Sequence, residues 1–148
     1  MLSQKCQYAV RATFELAKRY GQGPVRVWEI AQVQAIPPRF LEVILVQLKQ
    51  GGFVESRRGN EGGYLLRKEP QRLTVGEVIR FVEGPQSPVS CTAGSQNEPC
   101  SLAGGCVFLP MWERARKAAE DVYNGTTFQD LVEEEIRMGM PCPPSYSI

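Results

Sequence analysis

Residues 35–38, Ala-Ile-Pro-Pro, cut a stretch of helical pattern in two. Pro37 disfavours helical geometry in the residue before it, so a helix that starts near Trp28 must stop at Ile36. Pro38 suits the first turn of a new helix, where its missing N–H costs nothing. The pattern therefore predicts helices over residues 28–35 and 39–50, joined by a turn of about three or four residues, which is a helix-turn-helix. The second helix is expected to bury Phe40, Leu41, Ile44, Leu45 and Leu48 and to close at Gly51-Gly52. Residues 53–56 and 64–66 then read as two strands around the turn Arg57-Arg58-Gly59-Asn60-Glu61-Gly62-Gly63. A hairpin in that place is a wing, and its tip sets two cationic side chains beside three glycines, where backbone can approach a phosphate closely.

The flanking segments extend this plan. Residues 4–20 carry apolar side chains at Cys6, Ala9, Val10, Phe14, Leu16, Ala17 and Tyr20, near the spacing of a packed helix. Gly21 to Pro24 end it, and residues 25–27 have room only for a very short extended piece. Thr74 with Glu77 three residues later has capping-box spacing and opens a helix over 74–82. Residues 84–105 have loop composition and hold three cysteines. A helix returns over 111–123 with apolar positions Trp112, Ala115, Ala119, Val122 and Tyr123, and Thr127 caps a last short helix through Glu133. The expected architecture is mainly α. A winged helix-turn-helix occupies residues 1–83, a cysteine-bearing loop 84–106, a long dimerisation helix and a short C-terminal helix 107–135, and a Pro-rich tail 136–148.

Composition narrows the function. The chain has 148 residues, 43% hydrophobic and 22% charged, with formal net charge +1. That supports one globular domain and speaks against disorder. No run of about 18 apolar residues occurs, so no membrane span is expected. The N-terminal segment is amphipathic with scattered charge, unlike a secretory signal, which points to the cytoplasm. The sequence contains no His, which removes His-based triads and imidazole metal ligands and argues against an enzyme with a Cys nucleophile. Charge is divided along the chain. Residues 1–80 carry 13 Lys and Arg against 7 Asp and Glu, and residues 81–148 carry 4 against 9. The halves differ by sign, +6 and −5, so a polyanion is expected to meet only the first.

These features converge on double-stranded DNA. A third helix in the major groove presents its N-terminal residues to base edges while phosphate contacts fix register. Arg39 would meet a base edge or a phosphate, and Glu42, about one turn on, could accept from a cytosine amino group. Arg57 and Arg58 would enter the neighbouring minor groove or grip phosphate, with Lys5 and Arg26 as further phosphate contacts. Symmetric half-sites call for a homodimer, for which the helix over 111–123 is the candidate. Cys91, Cys100 and Cys106 stand with eight and then five residues between neighbours. Three thiols in a reducing compartment do not make a disulfide framework. Soft thiolates select zinc or iron–sulfur clusters, and the wide spacing departs from structural zinc sites. A labile cluster fits better, and the alternative is that the thiols themselves, or a docked partner protein, act as the switch. Cys6 falls on the apolar stripe and reads as a buried thiol; Cys142 reads as a spectator in the tail.

In its motifs the chain resembles the Rrf-two family of bacterial transcription regulators, over about residues 1–135. The resemblance rests on the opening Leu2-Ser3-Gln4-Lys5-Cys6-Gln7-Tyr8-Ala9-Val10-Arg11, on Ile36 with Phe40-Leu41-Glu42, and on the wing through Tyr64-Leu65-Leu66. Thr74-Val75-Gly76-Glu77-Val78-Ile79 and the three-cysteine loop followed by Trp112 complete it. It implies a homodimeric winged-helix repressor or activator whose DNA affinity depends on a bound cofactor or partner. In the cluster-binding members three cysteines hold an iron–sulfur cluster, 2Fe–2S or 4Fe–4S, and that role falls on Cys91, Cys100 and Cys106. The same carry-over puts DNA contact on Arg39, Glu42 and Arg58. Leu109 stands where some members have a ligating His, and Gln7 where others have an acidic residue from the partner subunit. The fourth ligand is thus open among Gln7, Cys6, a backbone group and a small thiol.

Overall fold

Ser3 starts the first helix by accepting the Cys6 backbone N–H on its Oγ at 3.1 Å, in a computed structural model that describes residues 1–89 and 106–139. This helix, α1 (Gln4–Lys18), buries Cys6, Ala9, Ala12, Leu16 and Ala17 on one stripe and is the element around which the others pack. Two short helices follow, α2 (Val27–Gln34) and α3 (Pro38–Gln50), as the proline pair requires. Ala35, in the left-handed region at φ 53°, turns the chain between them. Ile36 is buried in the turn, and Pro38 occupies the first turn of α3.

Strands β1 (Val54–Arg57) and β2 (Gly63–Leu66) form the antiparallel wing, in register Val54 to Leu66 through Arg57 to Gly63. Val25 adds a short third rung, exchanging two 2.8 Å backbone hydrogen bonds with Tyr64. The paired glycines of the wing answer to this crowding. A Cβ on Gly63 would lie 2.2 Å from the Val25 carbonyl oxygen, and one on Gly62 would lie 2.3 Å from that of Arg57. Backbone cannot yield there as a flexible side chain can, so both positions must lack a Cβ.

Helix α4 (Val75–Glu83) begins with the expected box: Thr74 Oγ1 accepts from the Glu77 N–H, and the Glu77 carboxylate accepts from the Thr74 N–H at 2.8 Å. Burial alone would raise the Glu77 carboxyl, but hydrogen bonds from Lys68 and the Thr74 backbone outweigh it and hold it below its ordinary value. After residues 90–105, which lie outside the described residues with Cys91 and Cys100, come α5 (Leu109–Gly125) and α6 (Phe128–Arg137). Thr127 caps α6 with a second capping box. The last helix runs four residues past the expected end and belongs to the central packing. Phe128 is wholly buried, its N–H donates to the Leu73 carbonyl at 3.0 Å, and α6 lies against α1. Among the described residues no helix is long and apolar enough to cross a membrane.

One expected core residue is misplaced. Leu41, Ile44, Leu45 and Leu48 of α3 are buried, but Phe40 is 42% exposed. At 100° per residue it falls on the flank of the stripe, where only the Tyr8 ring meets it, edge-on at 5.6 Å between centroids.

Candidate nucleic-acid interface

The helix-turn-helix is held to α1 by a buried carboxylate. Glu15 is 1% exposed, accepts from Gln34 of α2 at 3.0 Å and pairs with Lys18 and Arg19 at 3.5 and 3.3 Å. Arg19 also reaches Glu29 of α2 at 3.1 Å, and Lys18 reaches Glu135 of α6 at 3.1 Å. A charge so far from water is retained only when its oxygens are paired, and these partners fix α2 and α6 on α1 together. The second helix of the motif, α3, is held by its own buried stripe of Leu41, Ile44, Leu45 and Leu48 packed toward α1, with its other face left to solvent.

That outer face of α3 carries Arg39 and Glu42, both exposed and neither in an ion pair or hydrogen bond among the described residues. Lys5 is on the first turn of α1, half-buried, one turn before Tyr8. Since Tyr8 packs on Phe40, Lys5 lies toward the end of α3 that bears Arg39. Arg11 lies over the Tyr8 ring at 5.4 Å and completes the stack.

The wing gathers the other three cations. Arg26, just before α2, donates through its guanidinium to the Asn60 carbonyl at the wing tip, so its role is to brace the hairpin as well as to lend it charge. Arg57 pairs loosely with Glu55 at 3.5 Å, both exposed, a contact that contributes little and leaves the guanidinium available. Arg58 is exposed and unpaired among the described residues. Lys49, at the last turn of α3, donates to Ser56 Oγ of β1 at 2.6 Å and ties the helix to the wing. The structure thus gathers the sequence's candidates into two sets, Arg39 with Glu42 on α3 and Arg26 with Arg57 and Arg58 in the wing. The positions missed from sequence are Val43 and Val46, exposed on the outer face of α3 at 61% and 46%. The helical spacing leaves both off the expected buried set, but an isopropyl side chain carries no polar signal of contact, so their exposure on α3 is what marks them.

Of the three loop cysteines, Cys106 is described: a free thiol, partly exposed, whose carbonyl accepts the Leu109 N–H at 3.3 Å as α5 begins. Among the described residues there is no group of three or more metal-ligating side chains. Cys6 is a different kind of thiol. It has no exposed surface, and burial first, then the nearby Glu83 carboxylate, push it up to about 11. Gln7 is exposed, with its amide donating to the Leu2 carbonyl at 3.0 Å.

Helix α5 stands apart from this body. None of its residues is buried, although Trp112, Ala115, Ala119 and Val122 recur at alternating spacings of three and four. That spacing is the one found along the seam of packed helix pairs. Its charges are matched along the helix itself, Arg116 with Glu113 and Glu120 at 3.1 and 2.7 Å and Lys117 with Asp121 at 3.1 Å. Tyr123 leans on the core, and Asn124 accepts from Arg80 of α4.

Comparison with known proteins agrees with this geometry. The family model Rrf2, described as an iron-dependent transcriptional regulator, matches residues 2–134. The chain is 37% identical over 130 residues to the HTH-type transcriptional regulator CymR of Bacillus subtilis, covering 88% of each protein. It is 32% identical over 134 residues to the HTH-type transcriptional regulator IscR of Pectobacterium atrosepticum, covering 90% of this chain and 80% of that one. Among solved structures it is similar to CymR, the global cysteine regulator of B. subtilis, with TM-score 0.74 at 36% identity, covering 90% of this chain and 97% of that one. The IscR of T. potens gives TM-score 0.77 at 32% identity, covering 95% and 92%.

Proposed function

The chain belongs to the Rrf2 family of transcriptional regulators, and on that premise we propose that it is a cytoplasmic homodimer that binds operator DNA under the control of its three loop cysteines. Arg39 and Glu42 read or grip the major groove, and Arg57 and Arg58 engage the backbone or the neighbouring minor groove beside it. Lys5 and Arg26 add phosphate contacts at the two edges. The observation that carries this reading is the placement of Arg39 and Arg58, both exposed and unpaired among the described residues, on the outer face of α3 and on the wing, in the half of the chain that carries net +6.

Cys91, Cys100 and Cys106 would hold an iron–sulfur cluster, a donor set of soft thiolates that suits iron. The family model's own description, an iron-dependent regulator, supports it. Such a cluster supplies oxidisable, iron-dependent chemistry at the entrance to α5. This chain's residues would convert it into a signal: Cys106 sits three residues before α5, and α5 carries the seam that joins two bodies. Ordering of that segment changes how far apart the two α3 helices stand. By linkage, DNA then changes cluster affinity by the same factor as the cluster changes DNA affinity.

The same regulator without metal is the second reading, in which the thiols themselves oxidise. A Staphylococcus aureus CymR solved in an oxidized form, 30% identical with TM-score 0.70, favours it. Anaerobic purification with visible absorption, iron and sulfide measured on one sample separates the two. Absorbance with matching iron and sulfide, lost on Cys106→Ala, is the expected result. Protein that stays colourless after cluster reconstitution, but forms a reversible disulfide that alters DNA affinity, would establish the thiol switch instead.

A further inference from the structure

We propose that Val43 and Val46 read the 5-methyl groups of thymines in the major groove, so that the operator half-site carries T·A or A·T pairs beneath the middle of α3. The proposal rests on the DNA-binding reading above and specifies what that interface selects.

Arg39, Val43 and Val46 follow one another at i, i+4 and i+7 and share a stripe, with Glu42 beside it. Both valines point away from the core: Val43 is 61% and Val46 46% exposed, while Leu41, Ile44, Leu45 and Leu48 on the opposite side are buried. Among the described residues neither is covered. The surface around them is cationic, with unpaired Arg39 on the same stripe and Arg58 on the wing, in the half of the chain that carries net +6. That charge complements a polyanion.

An isopropyl side chain neither donates nor accepts a hydrogen bond. Pressed against the amino or carbonyl edge of a G·C pair, it would strip those groups of water and offer nothing in return. The one apolar feature that a base pair projects into the major groove is the thymine methyl. Three residues of helix advance about 4.5 Å along the axis, against about 3.4 Å per base-pair step, so the two valines reach neighbouring pairs. Arg39 and Glu42 then supply polar readout at their flanks, where guanine and cytosine edges can answer them.

The test uses the full chain, purified anaerobically, and a duplex that it selects from a random library. Each thymine of that duplex is replaced singly by deoxyuridine, which removes only the methyl group. Affinity is expected to fall about fourfold at each of two neighbouring positions within each half-site, the worth of one buried methyl-sized group, and to stay unchanged elsewhere. The doubly substituted V43A/V46A chain should lose affinity for the thymine duplex and cease to distinguish it from deoxyuridine at those two positions. Equal binding to every deoxyuridine duplex by the unsubstituted chain would overturn the proposal, as would a selected half-site without adjacent T-bearing pairs. Retention of the full discrimination by V43A/V46A would also overturn it. If a second copy of the chain covers this face, V43A/V46A lowers the sedimenting mass and leaves the discrimination intact, which again overturns it. A chain that selects no duplex at all overturns the DNA-binding reading, and this proposal with it.

Discussion

The body built from α1–α4, the wing and α6 completes itself within one chain, whereas α5 does not. In the body, Phe128, Leu16, Ile30, Leu41 and Leu73 are at most 2% exposed, and even the carboxylate of Glu15 is enclosed with its partners. Helix α5 is longer than any element of the body, yet buries no residue and leaves Val122 65% exposed. A helix of that length is stabilised mainly by packing of its apolar face, which among the described residues meets the body only in part, through Tyr123 and α4. The difference points to where a second copy would sit on the proposed reading: the body would be the reading head, and α5 the element through which two heads are spaced along one duplex.

Substitutions can break that contrast from either side. Phe128→Ala deletes a wholly enclosed ring from the body, and unfolding free energy in urea should fall by about 3–5 kcal/mol. A loss below about 1 kcal/mol would mean that α6 contributes nothing to the core. Val122→Asp acts on the other region. Circular dichroism should show the fold kept, while burial of a carboxylate in the seam weakens association by about 2–4 kcal/mol, read by sedimentation velocity. Unchanged association would place the dimer contact elsewhere.

The two described thiols sharpen the contrast further. Folded Cys6 holds its proton more tightly than it would unfolded, so its contribution to stability is complete below pH 9 and lost as pH rises through about 11. The loss is about 3 kcal/mol, read as urea midpoints across that window, and should vanish in Cys6→Ala. Cys106, partly exposed, should react with a thiol reagent in the folded chain while Cys6 stays silent. The smallest effect is at the helix-turn-helix corner. Ala35→Gly relieves a left-handed alanine but loosens the unfolded chain, for a net gain of up to about 0.5 kcal/mol in urea denaturation; a clear loss would contradict the strain assigned to that turn.

Legibility from sequence followed the range of the forces involved. Pro37, Pro38 and the wing glycines act on their own backbone, so the helix-turn-helix and hairpin could be read directly. The two threonine caps are equally local and are in place at Thr74 and Thr127. What depended on distant packing was not legible. Phe40 is an expected core residue and is exposed, because the buried stripe runs through Leu41, Ile44, Leu45 and Leu48 and the Tyr8 ring of α1 meets Phe40 only edge-on at its flank. Glu15 looks like a surface residue until Gln34 and Arg19 close over it. Val43 and Val46 fall off the expected buried stripe yet carry no polar group to mark them as contacts, and the return of α6 to the body goes with the pairing of Thr74 with Thr127 across fifty-odd residues. For the site, residue types named the chemistry of Arg39, Arg58 and Cys106, while their grouping required the fold.

The account stands most directly on the mass of the chain in solution, alone and on DNA. Sedimentation equilibrium of the full chain at micromolar concentration should give twice the 16.5 kDa of one chain, and one such pair per selected duplex, as an uncovered α5 seam requires. A 16.5 kDa species that binds DNA as a single copy would contradict it, and would leave α5 without the role assigned to it here.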